Sequence, residues 1–241
     1  MAPPDPSRVT GYPQGMLLMR WEDLLFLHWA VEPDALRRFL PAGLELDTFD
    51  GRAWLGVVPF TMAATRFRCL PPVPTANRFP ELNLRTYVRC GDRAGVWFFS
   101  LDAHSRLAVE GARVGFGLPY FLAEMQSRRE GARVSYKSRR VDRRAPPAGF
   151  EGAWRPVGPW QAAVPGSLEH FLVERYSLFA VRRGRLLRGD VVHPPWRLAA
   201  ADVALEVCDT TRLVDLEIDG APCSALAAQP VLVRAAKPFA V

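Results

Sequence analysis

The stretch FPELNLRTYV, residues 79–88, carries the clearest structural signal in this chain of 241 residues. From Glu81 to Cys90 the side chains alternate with a period of two, which is typical of a strand whose faces meet different surroundings. One face is apolar apart from a threonine: Leu82, Leu84, Thr86 and Val88. The other is polar or aromatic: Glu81, Asn83, Arg85, Tyr87 and Arg89. We predict that the first face is core, whereas the second meets either solvent or a barrel cavity, and periodicity leaves both open.

Short strands punctuated by proline and glycine are predicted for most of the chain. Besides the strand at 81–90, we predict strands at 23–31, 52–60, 95–103, 132–140, 178–187, 202–208 and 229–234. Short helices are predicted at 32–40, 120–127 and 167–175, because Pro33 and Pro119 suit a first helical turn and Ser167 suits an N-cap. The expected fold class is α+β, mainly antiparallel β, with a curved sheet or barrel.

The bulk composition favours one folded unit. Hydrophobic residues make up 49% of the chain, enough to bury a core, and no shift in composition divides it. We expect a flexible segment at 1–15 followed by a single domain at 16–241. No stretch has the pattern of a signal peptide or the roughly 18 apolar residues of a membrane span, so we expect a soluble cytoplasmic protein without a membrane partner.

The cysteines and the basic residues give weaker signals. Cys69, Cys90, Cys208 and Cys223 are widely spaced, so we expect free thiols, no metal site and no cofactor. The net charge is +6, and the densest basic stretch, at 128–144, could follow a nucleic-acid backbone. Because acidic residues interrupt this stretch and no recognition motif accompanies it, a solvated hairpin is the favoured interpretation.

Several longer segments resemble one family. The segment LHWAVEPDALRRFLPAGLELD at 27–47 is similar to the opening of the acetoacetate decarboxylase-like superfamily. FPELNLRTYV at 79–88, GVWFFSLDA at 95–103, FLVERYSLFA at 171–180 and HPPW at 193–196 resemble its YqjF-like branch, a domain of unknown function. The resemblance spans most of residues 16–235. It implies a β-cone or double-barrel fold, a buried and largely apolar cavity, and assembly into homo-oligomers.

The resemblance also shows what this chain lacks. The decarboxylases use a lysine amine in a Gly-x-Pro-Lys-Lys run, which attacks a ketone to form a Schiff base. The matching run here is Gly117-Leu118-Pro119-Tyr120-Phe121, so Tyr120 stands at the position of the nucleophile. Neither of the two lysines, Lys137 and Lys237, matches the motif. Schiff-base catalysis at that position is therefore excluded.

Other pocket positions of the superfamily have counterparts in this chain. Glu81 precedes Tyr120 by 39 residues and Arg113 precedes it by seven, which matches a family glutamate and a family arginine. Arg20 matches a third pocket arginine if the alignment shifts by two residues. The resemblance thus implies a polar site that persists around a lost nucleophile.

Each candidate has a chemical role and a plainer alternative. Arg85 and Arg113 could bind a substrate carboxylate through a bidentate fork, or form structural ion pairs. Tyr120 could donate its hydroxyl to an enolate, or simply pack. His28 lies on the opening strand and could face the cavity, or bond to a backbone carbonyl.

Three hypotheses follow from the sequence. The first is a cavity for an organic acid or carbonyl compound, in which Glu81, Tyr120 and His28 carry acid–base chemistry of the lyase or isomerase type and Arg113, Arg85 and Arg20 bind the ligand. The second is a ligand-binding or sensing module without turnover. The third is nucleic-acid binding through residues 128–144.

Overall fold

The computed structural model of this chain describes residues 17–67, 77–218 and 220–241. The expected segment at 1–15 and Cys69 lie outside the described residues. The described ranges contain fifteen strands, which are β1 Leu17–Glu22, β2 Leu24–Val31, β3 Glu45–Leu46, β4 Ala53–Phe67, β5 Phe79–Cys90, β6 Arg93–Ala103, β7 Tyr120–Glu130, β8 Arg133–Arg140, β9 Gly149–Gln161, β10 Ser177–Arg182, β11 Arg185–Val192, β12 Leu198–Cys208, β13 Ser224–Ala228, β14 Val231–Ala235 and β15 Phe239–Ala240. The helices are α1 Pro33–Arg37, α2 Arg106–Phe116 and α3 Leu168–Val173, with a short 3-10 helix at Thr210–Val214.

Two closed rings of strands share their three central members. One ring runs β1–β14–β11–β10–β6–β5–β4 and returns to β1. The other runs β6–β7–β8–β9–β12–β13–β2–β4–β5 and returns to β6. All neighbouring strands are antiparallel except where β6 pairs with β10 and with β7. The prediction of a mainly antiparallel double barrel with a few short helices is confirmed.

The shared strands explain the alternation along residues 79–88. Leu82 and Leu84 on β5 belong to the apolar core of the nine-stranded barrel, whereas Tyr87 belongs to the core around the seven-stranded barrel. Both faces of a shared strand are enclosed, because each looks into a different barrel. The face of β5 that carries Glu81, Asn83 and Arg85 is therefore not a solvent face, and the Glu81 residue is only 2% exposed.

One predicted helix is a strand in the structure. Residues 120–127 begin strand β7, which pairs with β6 on one side and β8 on the other. Pro119 and the good helix formers after it suggested a helix, but Phe121, Ala123 and Met125 also alternate with polar or partly exposed positions. Tertiary pairing within the barrel overrides the local helix preference.

The sequence-based prediction also missed helix α2 and misjudged one hairpin. Helix α2 has Ser105 as its N-cap, whose side chain accepts from the Ala108 N–H, and Gly117 at φ 71° as its C-cap. Its two internal glycines obscured it. The single strand predicted at 178–187 is instead two strands, β10 and β11, joined by a turn in which Arg183 and Gly184 both have positive φ.

A buried ion pair ties β8 to β6. Arg140 Nε donates to Asp102 Oδ1 at 2.8 Å, and the two side chains are 0% and 1% exposed. Arg140 also donates to the Pro146 carbonyl and lies over the Phe121 ring. Burial raises the pKa of Asp102 to about 6, and the Arg140 charge opposes that rise. Removing either partner would leave the other charge buried and unpaired in a low-dielectric interior.

Asp102→Asn should therefore lower the free energy of unfolding by about 3–5 kcal/mol at pH 8, where the Asp102 carboxylate is ionised. The matched control is Asp202→Asn, which removes an Arg155 ion pair whose side chains are 59% and 57% exposed. That control should cost no more than about 1 kcal/mol. Urea denaturation of the three proteins measures both values, and equal losses would contradict the structural role of the buried pair.

Candidate functional site

The seven-stranded barrel encloses a cavity of about 150 Å³. A cavity of roughly 150 Å³ accommodates one benzene-sized molecule. Most of its wall is apolar, from strands β1, β4 and β6 and from helix α2. The polar or titratable side chains on the wall are Trp21, Glu81, Asn83, Arg85, Tyr120, Arg175, Ser177, His193 and Trp196.

Glu81 and Tyr120 form a hydrogen-bonded pair on this wall. The Tyr120 hydroxyl lies 3.1 Å from Glu81 Oε1 and 3.0 Å from Oε2, and both side chains are buried. Burial raises the pKa of Glu81 to about 8, against the opposing hydrogen bond from Tyr120. At neutral pH the carboxyl group is therefore mostly protonated, and the pair can supply a proton to a ligand oxygen.

Arg85 presents a guanidinium to the same cavity. Its Nη2 donates to the Tyr87 hydroxyl at 3.3 Å and to the Leu172 carbonyl at 3.2 Å, while its Nε is buried without a partner. No carboxylate among the described residues forms an ion pair with it. Arg175, which also lines the cavity, is instead neutralised by Asp47 at 2.5 Å. Arg85 is thus an unneutralised positive charge in a mostly apolar wall.

His28 does not line the cavity, and it contacts Arg85 indirectly, through the Tyr87 hydroxyl. The Tyr87 hydroxyl accepts from Arg85 Nη2 and forms a second hydrogen bond with His28 Nε2, 2.6 Å away. The other ring nitrogen, Nδ1, is buried without a partner. Burial, and then the Arg85 charge, hold the pKa of His28 well below its usual 6.5. A neutral, fully enclosed imidazole at this place orients Tyr87 and, through it, Arg85.

The two remaining predicted arginines lie outside the cavity wall. Arg113, in the last turn of α2, donates to the backbone carbonyl of Tyr120 at 2.8 Å and lies over the Phe121 ring. It therefore fixes the backbone that carries the Tyr120 hydroxyl. The side chain of Arg20 is 48% exposed and pairs with Glu22 at 3.1 Å. Of the six candidates from the sequence, the structure brings Glu81, Arg85 and Tyr120 together.

Two segments singled out by the resemblance meet beside this cavity. The Trp196 side chain donates from Nε1 to the Val173 carbonyl at 3.0 Å, and its backbone N–H donates to Glu174 Oε1 at 3.0 Å. These contacts join the HPPW segment to FLVERYSLFA and bring His193 and Arg175 to the cavity wall. Both residues lie within segments that resemble the YqjF-like branch. They are 18 positions apart, and this spacing does not predict that they share a site.

The basic stretch at 128–144 is largely neutralised. It forms the β7–β8 hairpin and the turn that follows. Six of its cations pair with acidic groups: Arg128 with Glu130, Arg129 with Asp23, Lys137 with Glu151, Arg139 with Glu124, Arg140 with Asp102, and Arg144 with Glu110 and Asp142. Cations held this way have little charge left for phosphates, which disfavours nucleic-acid binding.

The described residues contain neither a metal-binding cluster nor a helix suited to a membrane. In the described ranges, no three His, Cys, Asp or Glu side chains gather in a way that could hold a metal ion. Within residues 17–67, 77–218 and 220–241, no helix combines the length and apolar character that a membrane crossing needs.

The fold and the cavity define a double-barrel protein with a mostly apolar cavity that carries a few polar groups. The model of the DUF2071 family, described as an uncharacterized conserved protein, matches residues 18–236, and the chain belongs to this family. A Bacillus subtilis (strain 168) protein described as uncharacterized protein YqjF is 44% identical over 201 residues, covering 83% of this chain and 82% of that protein. The resemblance to YqjF-like proteins is confirmed.

Solved structures give the same fold at low identity. An acetoacetate decarboxylase from Legionella pneumophila aligns with a TM-score of 0.65 at 14% identity, covering 100% of this chain and 93% of that one. The enduracididine biosynthesis enzyme MppR, solved in complex with pyruvate, aligns with a TM-score of 0.62 at 13% identity, covering 97% of this chain and 93% of that one. At such identities the likeness shows the fold alone.

The raised pKa of Glu81 makes stability depend on pH. Between the usual pKa of 4.5 and the folded value of about 8, the folded state binds more protons than the unfolded state, so the Glu81 contribution becomes less favourable as pH rises. Glu81→Gln removes this group. The free energy of unfolding of the variant, relative to wild type, should rise by about 4 kcal/mol between pH 5 and pH 9, at about 1.4 kcal/mol per pH unit within the window between the two pKa values.

Thermal or urea unfolding at several pH values measures this difference. Glu124→Gln is the matched control, because the Glu124 side chain is 62% exposed. It should follow the wild-type pH profile. A Glu81→Gln difference that stays flat across the same window would show that Glu81 is ionised throughout.

Proposed function

We propose that the seven-stranded barrel binds a small organic acid or carbonyl compound, and that Glu81 and Tyr120 carry acid–base chemistry on it. One observation carries the proposal. A buried, protonated carboxyl and an unneutralised guanidinium, that of Arg85, line the same small cavity. Buried charges are normally paired with an opposite charge within the protein, so a guanidinium that has no carboxylate partner among the described residues and lines a cavity points to an anionic ligand.

The charge balance of the wall favours a monoanion. With Glu81 protonated and Arg175 neutralised by Asp47, Arg85 contributes one net positive charge. A carboxylate would neutralise it and take up the donors that the protein leaves unsatisfied. The volume of about 150 Å³ limits the ligand to a few carbon atoms beyond its carboxylate.

The chemistry proposed for Glu81 and Tyr120 is proton donation to a carbonyl oxygen. Such donation stabilises the charge that develops during enolisation, hydration or lyase steps next to a carboxylate. A Schiff base is not part of the proposal, because neither lysine lines the cavity. Lys137 is on β8, 59% exposed and paired with Glu151, and Lys237 is exposed near the C-terminus. The pyruvate complex of MppR supports a small oxo acid as the first probe.

Binding without turnover is the alternative that the same site allows. The wall is mostly apolar, and Tyr120 stands where the superfamily has its nucleophile. A sensing module would keep the Arg85 contact and lose the need for proton transfer. It differs from an enzyme in one outcome: the ligand leaves the cavity unchanged.

Arg85→Met tests the ligand assignment while keeping the length of the side chain. Loss of a charge-assisted hydrogen bond costs about 1.5–3 kcal/mol, so the affinity for pyruvate should fall roughly 10- to 150-fold. Titration calorimetry or ligand-observed NMR measures the dissociation constant. Arg155→Met, on an exposed part of β9, should bind pyruvate as wild type does.

Native mass spectrometry of freshly purified protein tests the proposal without choosing a probe. A retained small acid that is present in wild type and absent in Arg85→Met would support it. Equal pyruvate affinity in wild type and Arg85→Met, together with no retained acid in either protein, would overturn it.

A further inference from the structure

The cavity wall carries a histidine, His193, that has no role in the chemistry proposed above. His193 follows β11, is 4% exposed and lines the same cavity as Glu81. Its ring packs among three aromatic side chains, at centroid distances of 4.7 Å to Tyr176, 4.9 Å to Trp196 and 5.9 Å to Trp21. A histidine on the wall of a ligand-sized cavity is positioned to exchange a proton with the ligand.

One hydrogen bond decides which nitrogen of His193 is available. Nδ1 lies 2.8 Å from the Pro194 carbonyl, which can only accept, so Nδ1 carries the ring proton. The neutral ring then has its lone pair at Nε2. No described residue hydrogen-bonds to Nε2. The aromatic contacts fix the plane of the ring, and the HPPW backbone fixes its tautomer.

The groups that face His193 keep its ring neutral. Burial lowers its pKa below 6.5; the Pro194 carbonyl and the Glu174 carboxylate oppose this, and the Arg85 guanidinium adds to it. Glu174 is itself occupied, since it accepts from the Tyr176 hydroxyl and from the Trp196 N–H. The ring is therefore held as an acceptor at neutral pH and does not form a salt bridge with Glu174.

We propose that His193 Nε2 is the base of this site, removing a proton from the carbon next to the carbonyl group of a bound oxo acid while Glu81 and Tyr120 protonate the carbonyl oxygen. This rests on the proposed function. It adds a proton acceptor to the proton donor already on the wall. A donor and an acceptor with displaced pKa values in one cavity form the arrangement that enolisation needs.

The step balances without a further reactant. The carbon–hydrogen bond breaks and its proton goes to His193 Nε2. Its electron pair forms the carbon–carbon double bond, and the carbonyl π electrons move to oxygen, which takes the Glu81 proton. The enol returns to the ketone by the reverse transfers. In D₂O the imidazolium exchanges its proton with solvent, so the reverse step delivers deuterium to carbon.

The experiment follows loss of the pyruvate methyl signal in D₂O by proton NMR, with pyruvate binding measured separately. Wild type should accelerate exchange over buffer. His193→Asn keeps a donor toward the Pro194 carbonyl and removes the base, so exchange should slow at least about 100-fold with pyruvate still bound. His170→Asn, on helix α3 away from the cavity wall, should exchange as wild type does.

The outcomes separate this inference from the proposed function. Bound pyruvate without exchange in wild type, or equal exchange in wild type and His193→Asn, overturns the role of His193 and leaves the binding site intact. No pyruvate binding and no retained acid overturn both. If His193→Asn does not fold, nitrogen-15 NMR of wild type still tests the geometry, because a proton on Nε2 at neutral pH contradicts the proposal.

Discussion

The sharing of β4, β5 and β6 between two barrels is the constraint on which the rest of this structure depends. Each shared strand has two enclosed faces, so no residue along its centre can turn to bulk water. Apolar side chains satisfy that condition on the face toward the larger barrel. On the other face, Glu81 and Arg85 can be enclosed only because a cavity and a set of hydrogen bonds surround them.

That enclosure sets the chemistry of the site. Burial away from water favours the protonated form of the Glu81 carboxyl group, and the Tyr120 hydroxyl donates a hydrogen bond to its oxygen atoms. A guanidinium cannot lose its charge in the same way, so Arg85 is held by the hydrogen bonds that it donates to the Leu172 carbonyl and the Tyr87 hydroxyl, and Tyr87 is in turn hydrogen-bonded to His28. The outcome is a positive charge beside a proton donor, which suits a small anion.

The cavity wall carries polar groups although neither lysine of the chain lines it. Tyr120 lies at the start of β7, and Arg113 fixes the backbone there by donating to the Tyr120 carbonyl. The neighbouring Phe121 is covered by Arg113 and Arg140 and so belongs to the packing of the barrel. This part of a mostly apolar cavity thus presents a phenol beside a carboxyl group.

The sequence by itself determined the fold class and the alternation of β5, because these depend on residue type and local period. It could not tell a cavity face from a solvent face, since both are polar with a period of two. It also favoured a helix at 120–127, where pairing with β6 and β8 imposes a strand. Only the tertiary structure shows that His28, Arg113 and Arg20 lie outside the cavity wall and that His193 is part of it. Those positions depend on how strands far apart in the chain pair to close each barrel, and the local sequence does not predict that pairing.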